Sequence, residues 1–263
     1  GCVIFTTSGT TKAPKFVLHH QASIAVHARD VARAFGFNAP DARILLAIPL
    51  CGVFGLSNAM GALAAGQPLV MLPTFDAAAA ARAIHRHRVT HLPAAGDMVA
   101  QLLATSEKEQ PFPSVRLVIG ARSGQAARAQ ARGLTLIGVY GMSEIQAMIS
   151  RHSETDPPEK RELGGGVMIA PGGAVRTRDP ETGAVLEHGE SGELEFRTPS
   201  QMAGYFGDPE ATAAAFTADG FLRSGDLGYT VAGNEFVFQS RMGDVLRLSG
   251  FLVNPLEIEA VLD

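Results

Sequence analysis

A loop rich in hydroxyl groups follows the first apolar residues of the chain. Residues 6–15 read T-T-S-G-T-T-K-A-P-K and carry five hydroxyl side chains, one glycine and two lysines. Hydroxyl and backbone N–H donors, together with an ammonium group, match the oxygen atoms of phosphate. The stretch does not follow the G-x-x-x-x-G-K-[ST] pattern of a P-loop. Taken alone, it predicts either a phosphate-binding loop or an ordinary solvated turn.

Short apolar runs alternate with helical patterns between residues 44 and 140, and these elements would position the chemistry. The apolar runs cover residues 44–48, 69–72, 89–92, 115–119 and 134–139. The helical patterns cover residues 56–65, 76–87, 96–104 and 125–132, with Asp76 as an N-cap. Strands separated by helices predict an α/β fold with a doubly wound, mostly parallel sheet. Gly120 and Tyr140 each follow a predicted strand, at the edge where such sheets bind ligands.

The sequence changes character after residue 150. A polar, proline-rich connector covers residues 155–161, and short alternating segments with glycine-containing turns fill residues 163–238. This pattern predicts a β-rich region with hairpins, either a small barrel or an antiparallel sheet. Near the end, residues 245–248 resemble a strand, and Pro255 stands at the head of a helical pattern. We expect this last segment to be the first element of another domain.

Composition and charge restrict the class of protein. The 22 basic and 26 acidic residues give a net charge of −4, and the chain has no tryptophan, which argues against a nucleic-acid partner. The only cysteines, Cys2 and Cys51, provide neither a disulfide framework nor a zinc site, so we expect a cytoplasmic protein. Residues 44–75 carry no charge. Proline, glycine and polar residues interrupt them, so they predict a strand, a helix and a strand, with no transmembrane segment.

A set of motifs runs in order from Thr7 to Glu259. Residues 6–15 resemble T-S-G-T-T-G-x-P-K-G, and residues 139–144, V-Y-G-M-S-E, resemble Y-G-x-T-E. Residues 192–194, 204–205 and 209–212 resemble G-E-[LI]…G-Y…P-x-x-T, and residues 224–228 resemble T-G-D-L-G. The hinge pattern R-x-K…G…P-x-E-[IL]-E is matched by Arg241, Gly250, Pro255, Glu257 and Glu259. Together the motifs resemble the adenylate-forming superfamily of acyl-CoA ligases, peptide-synthetase adenylation domains and luciferases.

The resemblance implies a role for each matched residue. The hydroxyl-rich loop would close on the β- and γ-phosphates of ATP, through Thr7, Ser8, Gly9, Thr10, Thr11 and Lys15. Ser143 would contact the α-phosphate, and Glu144 would hold Mg²⁺, which prefers carboxylates and phosphate oxygens. Ser143, Glu144 and Lys15 would thus be the catalytic residues. The rest of the nucleotide would be bound by Gly120, Ala121, Tyr140, Gly141, Asp226, Phe238 and Arg241. Tyr140 would lie against adenine with Phe238 as apolar support, Asp226 would bind the ribose hydroxyls, and Arg241 would contact the ribose or a phosphate.

The chain also departs from the family pattern. Lys12 and Phe16 stand where the family has glycine, which makes the loop stiffer, and Gly243 replaces a polar hinge residue. The segment 49–52 resembles P-L-F-H but lacks the aromatic residue and the histidine. We expect residues 1–240 to form the nucleotide- and acyl-binding core, with α/β layers over 1–150 and a β-rich subdomain over 163–240. Residues 241–263 would be the hinge and the first element of a C-terminal α+β lid domain, most of which lies outside these residues.

The resemblance implies an acid–thiol ligase that uses ATP, Mg²⁺ and coenzyme A. It would convert a fatty or aryl carboxylic acid to an acyl-adenylate and then to a thioester. Because the adenylating lysine of the family would lie in the lid, we expect these residues alone to be inactive. One alternative is an adenylation module that loads a carrier-protein thiol, although no acid between Asp41 and Asp76 is present to pair with an amino-acid substrate. Another is a nucleotide-binding homologue without catalysis.

Overall fold

The structure is a computed structural model that describes residues 1–6, 14–120, 125–242, 246–248 and 251–253. The helices in this part are α1 (Gln21–Ala34), α2 (Val53–Ala64), α3 (Ala77–His87), α4 (Met98–Leu103), α5 (Ala126–Gln130), α6 (Pro158–Arg161) and α7 (Pro209–Ala215). The first strands are β1 (Val3–Thr6), β2 (Phe16–His19), β3 (Ile44–Leu46), β4 (Leu69–Met71), β5 (His91–Pro93), β6 (Leu117–Ile119), β7 (Leu136–Ile137), β8 (Val139–Met142) and β9 (Gln146–Arg151). The later strands are β10 (Gly165–Met168), β11 (Ala174–Arg178), β12 (Gly192–Arg197), β13 (Gly204–Tyr205), β14 (Leu222–Thr230), β15 (Glu235–Arg241), β16 (Leu246–Leu248) and β17 (Phe251–Val253).

A parallel sheet of five strands forms the first layer, in the order β4-β3-β5-β6-β7. From β3 the chain first adds β4 on one side and then continues through β5 on the other. This reversal creates a topological switch point at the carboxyl ends of β3 and β5, where open α/β sheets bind ligands. The predicted doubly wound sheet is confirmed.

Helices cover both faces of this sheet. On one face, Leu45 and Val118 pack with Ile84 of α3, and α4 and α5 join the same cluster. On the other face, Ile44 packs with Val31 of α1, and Ala62 of α2 belongs to the same cluster. Neighbouring residues of a strand point to opposite faces, so strands covered on both sides read as unbroken apolar runs.

The uncharged segment 44–75 folds as predicted into β3, α2 and β4. Helix α2 begins at Val53, ahead of the predicted start at Leu56, because Gly52 has an extended backbone and serves as its N-cap. Asp76 caps α3 as predicted, and its carboxylate accepts a hydrogen bond from the N–H of Ala79 at 2.6 Å. In the described ranges, no helix combines the length and apolar character needed to cross a bilayer.

A seven-stranded antiparallel sheet follows, in the order β11-β12-β14-β15-β10-β9-β8. Of the two predicted forms, barrel or sheet, the described strands therefore take the antiparallel sheet. The sheet begins with β8 and β9, ahead of residue 163, where the sequence places the β-rich region. Its core contains Phe196, Phe236 and Leu222. Strands β14 and β15 bring residues 224–228 beside Arg241, since Asp226 pairs with Arg241 in the register.

A third sheet, of three antiparallel strands, joins the residues that follow the hydroxyl-rich loop to a distant segment. Strand β2 lies between β1 and β13, and Val17 pairs with Tyr205. Phe16, which replaces the family's glycine, lies in β2 with its side chain exposed. Strands β16 and β17 form a separate antiparallel pair. The predicted helix headed by Pro255 lies outside the described residues.

Candidate active site

Asp226 is the centre of one group of predicted nucleotide-binding residues. Its Oδ2 accepts a hydrogen bond from the Tyr140 hydroxyl at 2.5 Å, and its Oδ1 accepts one from Nη1 of Arg241 at 2.6 Å. Asp226 is only 5% exposed, and this burial raises the pKa of its carboxyl group, against the opposing effects of its two partners. The structure therefore brings together Tyr140, Asp226 and Arg241, which the sequence assigned to one nucleotide.

Tyr140 belongs to an aromatic cluster. Its ring stacks on Phe196 with a centroid distance of 5.2 Å, and Phe238 lies at 5.7 Å with a tilt of 41°. Burial and the neighbouring carboxylate of Asp226 raise the pKa of the Tyr140 phenol well above its usual value. The phenol thus remains a hydrogen-bond donor at neutral pH. Phe238 lies beside Tyr140, where the sequence predicted an apolar support.

The segment of β14 that carries Asp226 is held by the neighbouring G-E-L segment of β12. The Ser224 hydroxyl donates to the carbonyl of Leu194 at 2.6 Å and accepts from the N–H of Asp226 at 3.0 Å. The N–H of Gly225 donates to Oε1 of Glu193 at 3.1 Å. Gly225 has a φ of +68°, a left-handed conformation that favours glycine. The G-E-L segment of β12 therefore orients the S-G-D segment of β14.

Glu144 is the centre of a second group of contacts. Its Oε1 accepts a hydrogen bond from the Tyr205 hydroxyl at 2.9 Å, and its backbone carbonyl accepts one from the N–H of Met202 at 2.6 Å. The Lys15 ammonium lies 4.5 Å from the centroid of the Tyr205 ring. Glu144, the predicted metal ligand, and Lys15, the predicted phosphate-binding lysine, thus both contact Tyr205.

Buried side chains of α1 and β2 hold the segment around Ser143. His19 Nε2 lies 2.7 Å from the carbonyl of Ser143, and His27 Nε2 lies 2.6 Å from that of Ala147. Burial lowers the pKa of His19 and lowers the pKa of His27 to about 4. Each neutral ring therefore uses Nε2–H as the donor to its carbonyl. Gln146 and Met148 of this segment have φ values of 67° and 68°, an uncommon conformation for residues other than glycine.

Gly120, directly after β6, lies close to Phe54 of helix α2. A Cβ atom at Gly120 would lie 2.3 Å from the carbonyl oxygen of Ala94 and 3.2 Å from Cζ of Phe54, and the φ of Gly120 is +103°. Only glycine fits this position. Gly141 is similarly confined, because a Cβ there would lie 2.5 Å from Cα of Ala147. The other predicted binding residues of these loops, Thr7, Ser8, Gly9, Thr10, Thr11 and Ala121, lie outside the described residues.

The sequence did not predict the roles that the structure gives to three residues at this site, which are Tyr205, Glu193 and His19. Tyr205 and Glu193 entered the sequence analysis only as parts of motifs. The motifs that contain Tyr205 and Glu193 were the only sequence signal for these two residues. No comparable signal marked His19, whose partner Ser143 is 124 positions away.

Comparisons with known proteins identify the family of the chain. The family model described as AMP-binding enzyme matches residues 1–206. The 4-coumarate–CoA ligase 1 of Oryza sativa subsp. japonica is 32% identical over 270 residues, which cover 97% of this chain and 48% of the relative. The 4-coumarate–CoA ligase-like 2 of Arabidopsis thaliana is 31% identical over 268 residues, which cover 97% and 46%.

The solved structures that resemble this one include the O-succinylbenzoate coenzyme A synthetase (MenE) from Bacillus subtilis in complex with ATP and magnesium ion. The TM-score is 0.87 at 28% sequence identity, and the match covers 98% of this chain and 54% of that one. The chain therefore spans about half the length of the relatives it matches. With its fold, its ordered motifs and this match over most of its length, the chain belongs to the family of AMP-binding enzymes.

Proposed function

We propose that the protein activates a carboxylic acid with ATP and then forms a thioester with coenzyme A. In the first step, a carboxylate oxygen attacks the α-phosphorus of ATP. The bond between the α-phosphorus and the oxygen that bridges to the β-phosphorus breaks, which yields acyl-adenylate and pyrophosphate. In the second step, the thiol sulfur attacks the acyl carbon, AMP leaves, and the thiol proton passes to solvent. The adenylate step replaces a poor leaving group with a good one.

The observation that carries the proposal is the convergence of five separated motifs on two linked groups of contacts. Tyr140, Asp226 and Arg241 form one group, and Glu144 with Tyr205 and Lys15 forms the other. The two groups are connected because Tyr140 and Glu144 belong to the same short segment after the parallel sheet. This arrangement fits a nucleotide with its adenosine at Asp226 and its phosphates near Glu144.

The nucleotide would use binding capacity that the described residues leave open. A carboxylate offers about four acceptor positions, so Asp226 accepts ribose hydroxyls in addition to its two protein donors. The adenine would lie at the aromatic layer of Tyr140 and Phe238. The Ser143 hydroxyl would donate to the α-phosphate, and Lys15 would pair with the outer phosphates.

Glu144 fits the requirements of a magnesium ligand. It is 7% exposed, and within the described residues its second carboxylate oxygen, Oε2, has no hydrogen-bond partner. Mg²⁺ binds through one or two carboxylates and substrate phosphates, and it neutralises charge on the phosphates when it is bound. We infer that Glu144 holds this ion through Oε2.

We propose an apolar acid, aromatic or aliphatic, as the substrate. Val53 and Leu56 of α2 pack against the cluster that contains Tyr140, and Phe54 packs at Gly120. This wall carries no charge to pair with an ammonium group, and burial of an unpaired ammonium costs several kcal/mol. The relatives named as 4-coumarate–CoA ligases support an aryl acid in particular.

We also propose that residues 1–240 are the nucleotide- and acyl-binding core and that residues 241–263 begin a hinge and lid. A cytoplasmic location is supported by Cys2 and Cys51, which are both exposed free thiols.

The test is pyrophosphate exchange by the full-length protein with a panel of acids. The panel contains 4-coumarate, benzoate, octanoate, acetate and phenylalanine. Coenzyme A or a carrier-protein thiol is then added as the acceptor of the acyl group. We expect exchange with the aryl or fatty acids and thioester formation with coenzyme A. Exchange stimulated most by phenylalanine would favour a synthetase module, and ATP binding without exchange would favour a non-catalytic homologue.

A further inference from the structure

Residues 204–212 carry the motif G-Y…P-x-x-T, to which the nucleotide roles assign nothing. The N–H of Tyr205 donates to Oγ1 of Thr212 at 2.8 Å, and that hydroxyl donates to the carbonyl of Asp208 at 2.8 Å. A Cβ at Gly204 would lie 2.8 Å from Cγ2 of Thr212. Asp208 also caps α7, because its carboxylate accepts from the N–H of Ala211 at 2.8 Å. The motif therefore fixes the backbone of Tyr205 against a short helix.

Residues 202–205 contact Glu144 at two points. The N–H of Met202 donates to the Glu144 carbonyl, and the Tyr205 hydroxyl donates to its carboxylate. The Tyr205 ring lies under the Lys15 ammonium, and β13 pairs with β2 directly after Lys15. One side chain thus contacts the proposed magnesium ligand with its hydroxyl and the proposed phosphate-binding lysine with its ring.

The Tyr205 hydroxyl is suited to be a permanent donor. An ordinary tyrosine phenol carries its proton at neutral pH, so the Tyr205 hydroxyl can donate to the Glu144 carboxylate. Glu144 in turn has one oxygen held by this donor, so its other oxygen points in a defined direction.

We propose that Tyr205 is a positioning residue that orients Glu144 for Mg²⁺ and Lys15 for the nucleotide phosphates. The inference rests on the proposed function. Groups that hydrogen-bond to a metal ligand orient it, and their loss costs metal affinity about 10- to 100-fold. A cation over an aromatic ring is likewise restrained by the ring's electrostatic attraction.

The experiment measures ATP binding to the full-length protein by calorimetry across a Mg²⁺ titration and in EDTA. Tyr205→Phe removes the hydroxyl and keeps the ring, and Tyr229→Phe, at a half-buried tyrosine of β14, is the matched control. We expect Tyr205→Phe to raise the Mg²⁺ concentration for half-maximal ATP binding about tenfold, with unchanged affinity in EDTA. Tyr205→Leu should weaken ATP binding in EDTA as well, because it also removes the ring under Lys15.

The proposal is wrong if Tyr205→Phe reaches half-maximal ATP binding at the same Mg²⁺ concentration as the wild type or at a lower one. Wild-type ATP binding that does not respond to Mg²⁺ would overturn it too. A merely structural role would lower the unfolding temperature of Tyr205→Phe without shifting the Mg²⁺ dependence. The proposed function fails separately, if no acid in the panel stimulates pyrophosphate exchange. Because ATP binding needs no acid, the calorimetry still tests Tyr205 in that case.

Discussion

The hydrogen bond between Tyr140 and Asp226 gives a prediction that separates stability from nucleotide binding. Both side chains are buried, and the hydroxyl lies 2.5 Å from Oδ2. Asp226→Ala leaves the buried phenol without this acceptor, at a cost of about 1–3 kcal/mol in the free energy of unfolding. Tyr140→Phe leaves Asp226 with Arg241 as its remaining side-chain donor, and we expect a cost of about 1–2 kcal/mol.

The double variant should cost less than the sum of the two single variants. With both partners removed, neither a buried donor nor a buried acceptor is left from this pair. We expect a coupling energy of about 1–2 kcal/mol. Equilibrium urea unfolding of the wild type, the two single variants and the double variant measures it, with Tyr229→Phe as the control. Additivity within about 0.5 kcal/mol would show that this hydrogen bond does not contribute as the geometry indicates.

The same variants should differ in ATP binding. Asp226→Ala removes the proposed acceptor of the ribose hydroxyls, worth about 1–3 kcal/mol, so the Kd for ATP should rise roughly 5- to 150-fold. Tyr140→Phe keeps the ring beside the proposed adenine site, so its Kd should change less than about threefold. Equal effects of the two variants on the Kd would refute the assignment of Asp226 to the ribose.

Three further predictions follow from the site and its surroundings. Glu144→Ala should abolish most pyrophosphate exchange by the full-length protein, and exchange at the wild-type rate would exclude Glu144 as the magnesium ligand. The pKa of His27 is lowered to about 4 from the usual 6.5. As the pH falls, His27 is therefore protonated in the unfolded chain before it is protonated in the folded chain, so the stability should drop between pH 6.5 and about pH 4. Unfolding midpoints at several pH values test this, and His27→Gln should reduce the slope whereas the exposed His20→Gln should not. Gly120→Ala should destabilise the protein by more than about 2 kcal/mol, since its Cβ would meet the Ala94 carbonyl, whereas Gly66→Ala, which has open space and a similarly positive φ, should cost only about 1 kcal/mol.

The parallel sheet was predictable from the sequence for a local physical reason. Strands covered on both faces are mostly apolar, so the runs that became β3 to β7 stood out between helical patterns, although β5 begins with the buried His91. Asp76 identified the start of α3 because a cap depends only on its nearest neighbours along the chain. The ordered motifs likewise marked Tyr140, Glu144, Asp226 and Arg241 as residues of one site.

The tertiary structure alone determined which of these residues touch. Tyr205 and Glu144 are 61 positions apart, and Tyr140 and Asp226 are 86 apart. Their contacts depend on strand register, since a shift by one residue would turn each side chain to the opposite face. The left-handed backbone at Gln146 and Met148 could not be predicted, because neither position is a glycine. It is accompanied by buried hydrogen bonds from His27 and Gln146 to distant carbonyls, and such long-range partners leave no pattern in neighbouring residues.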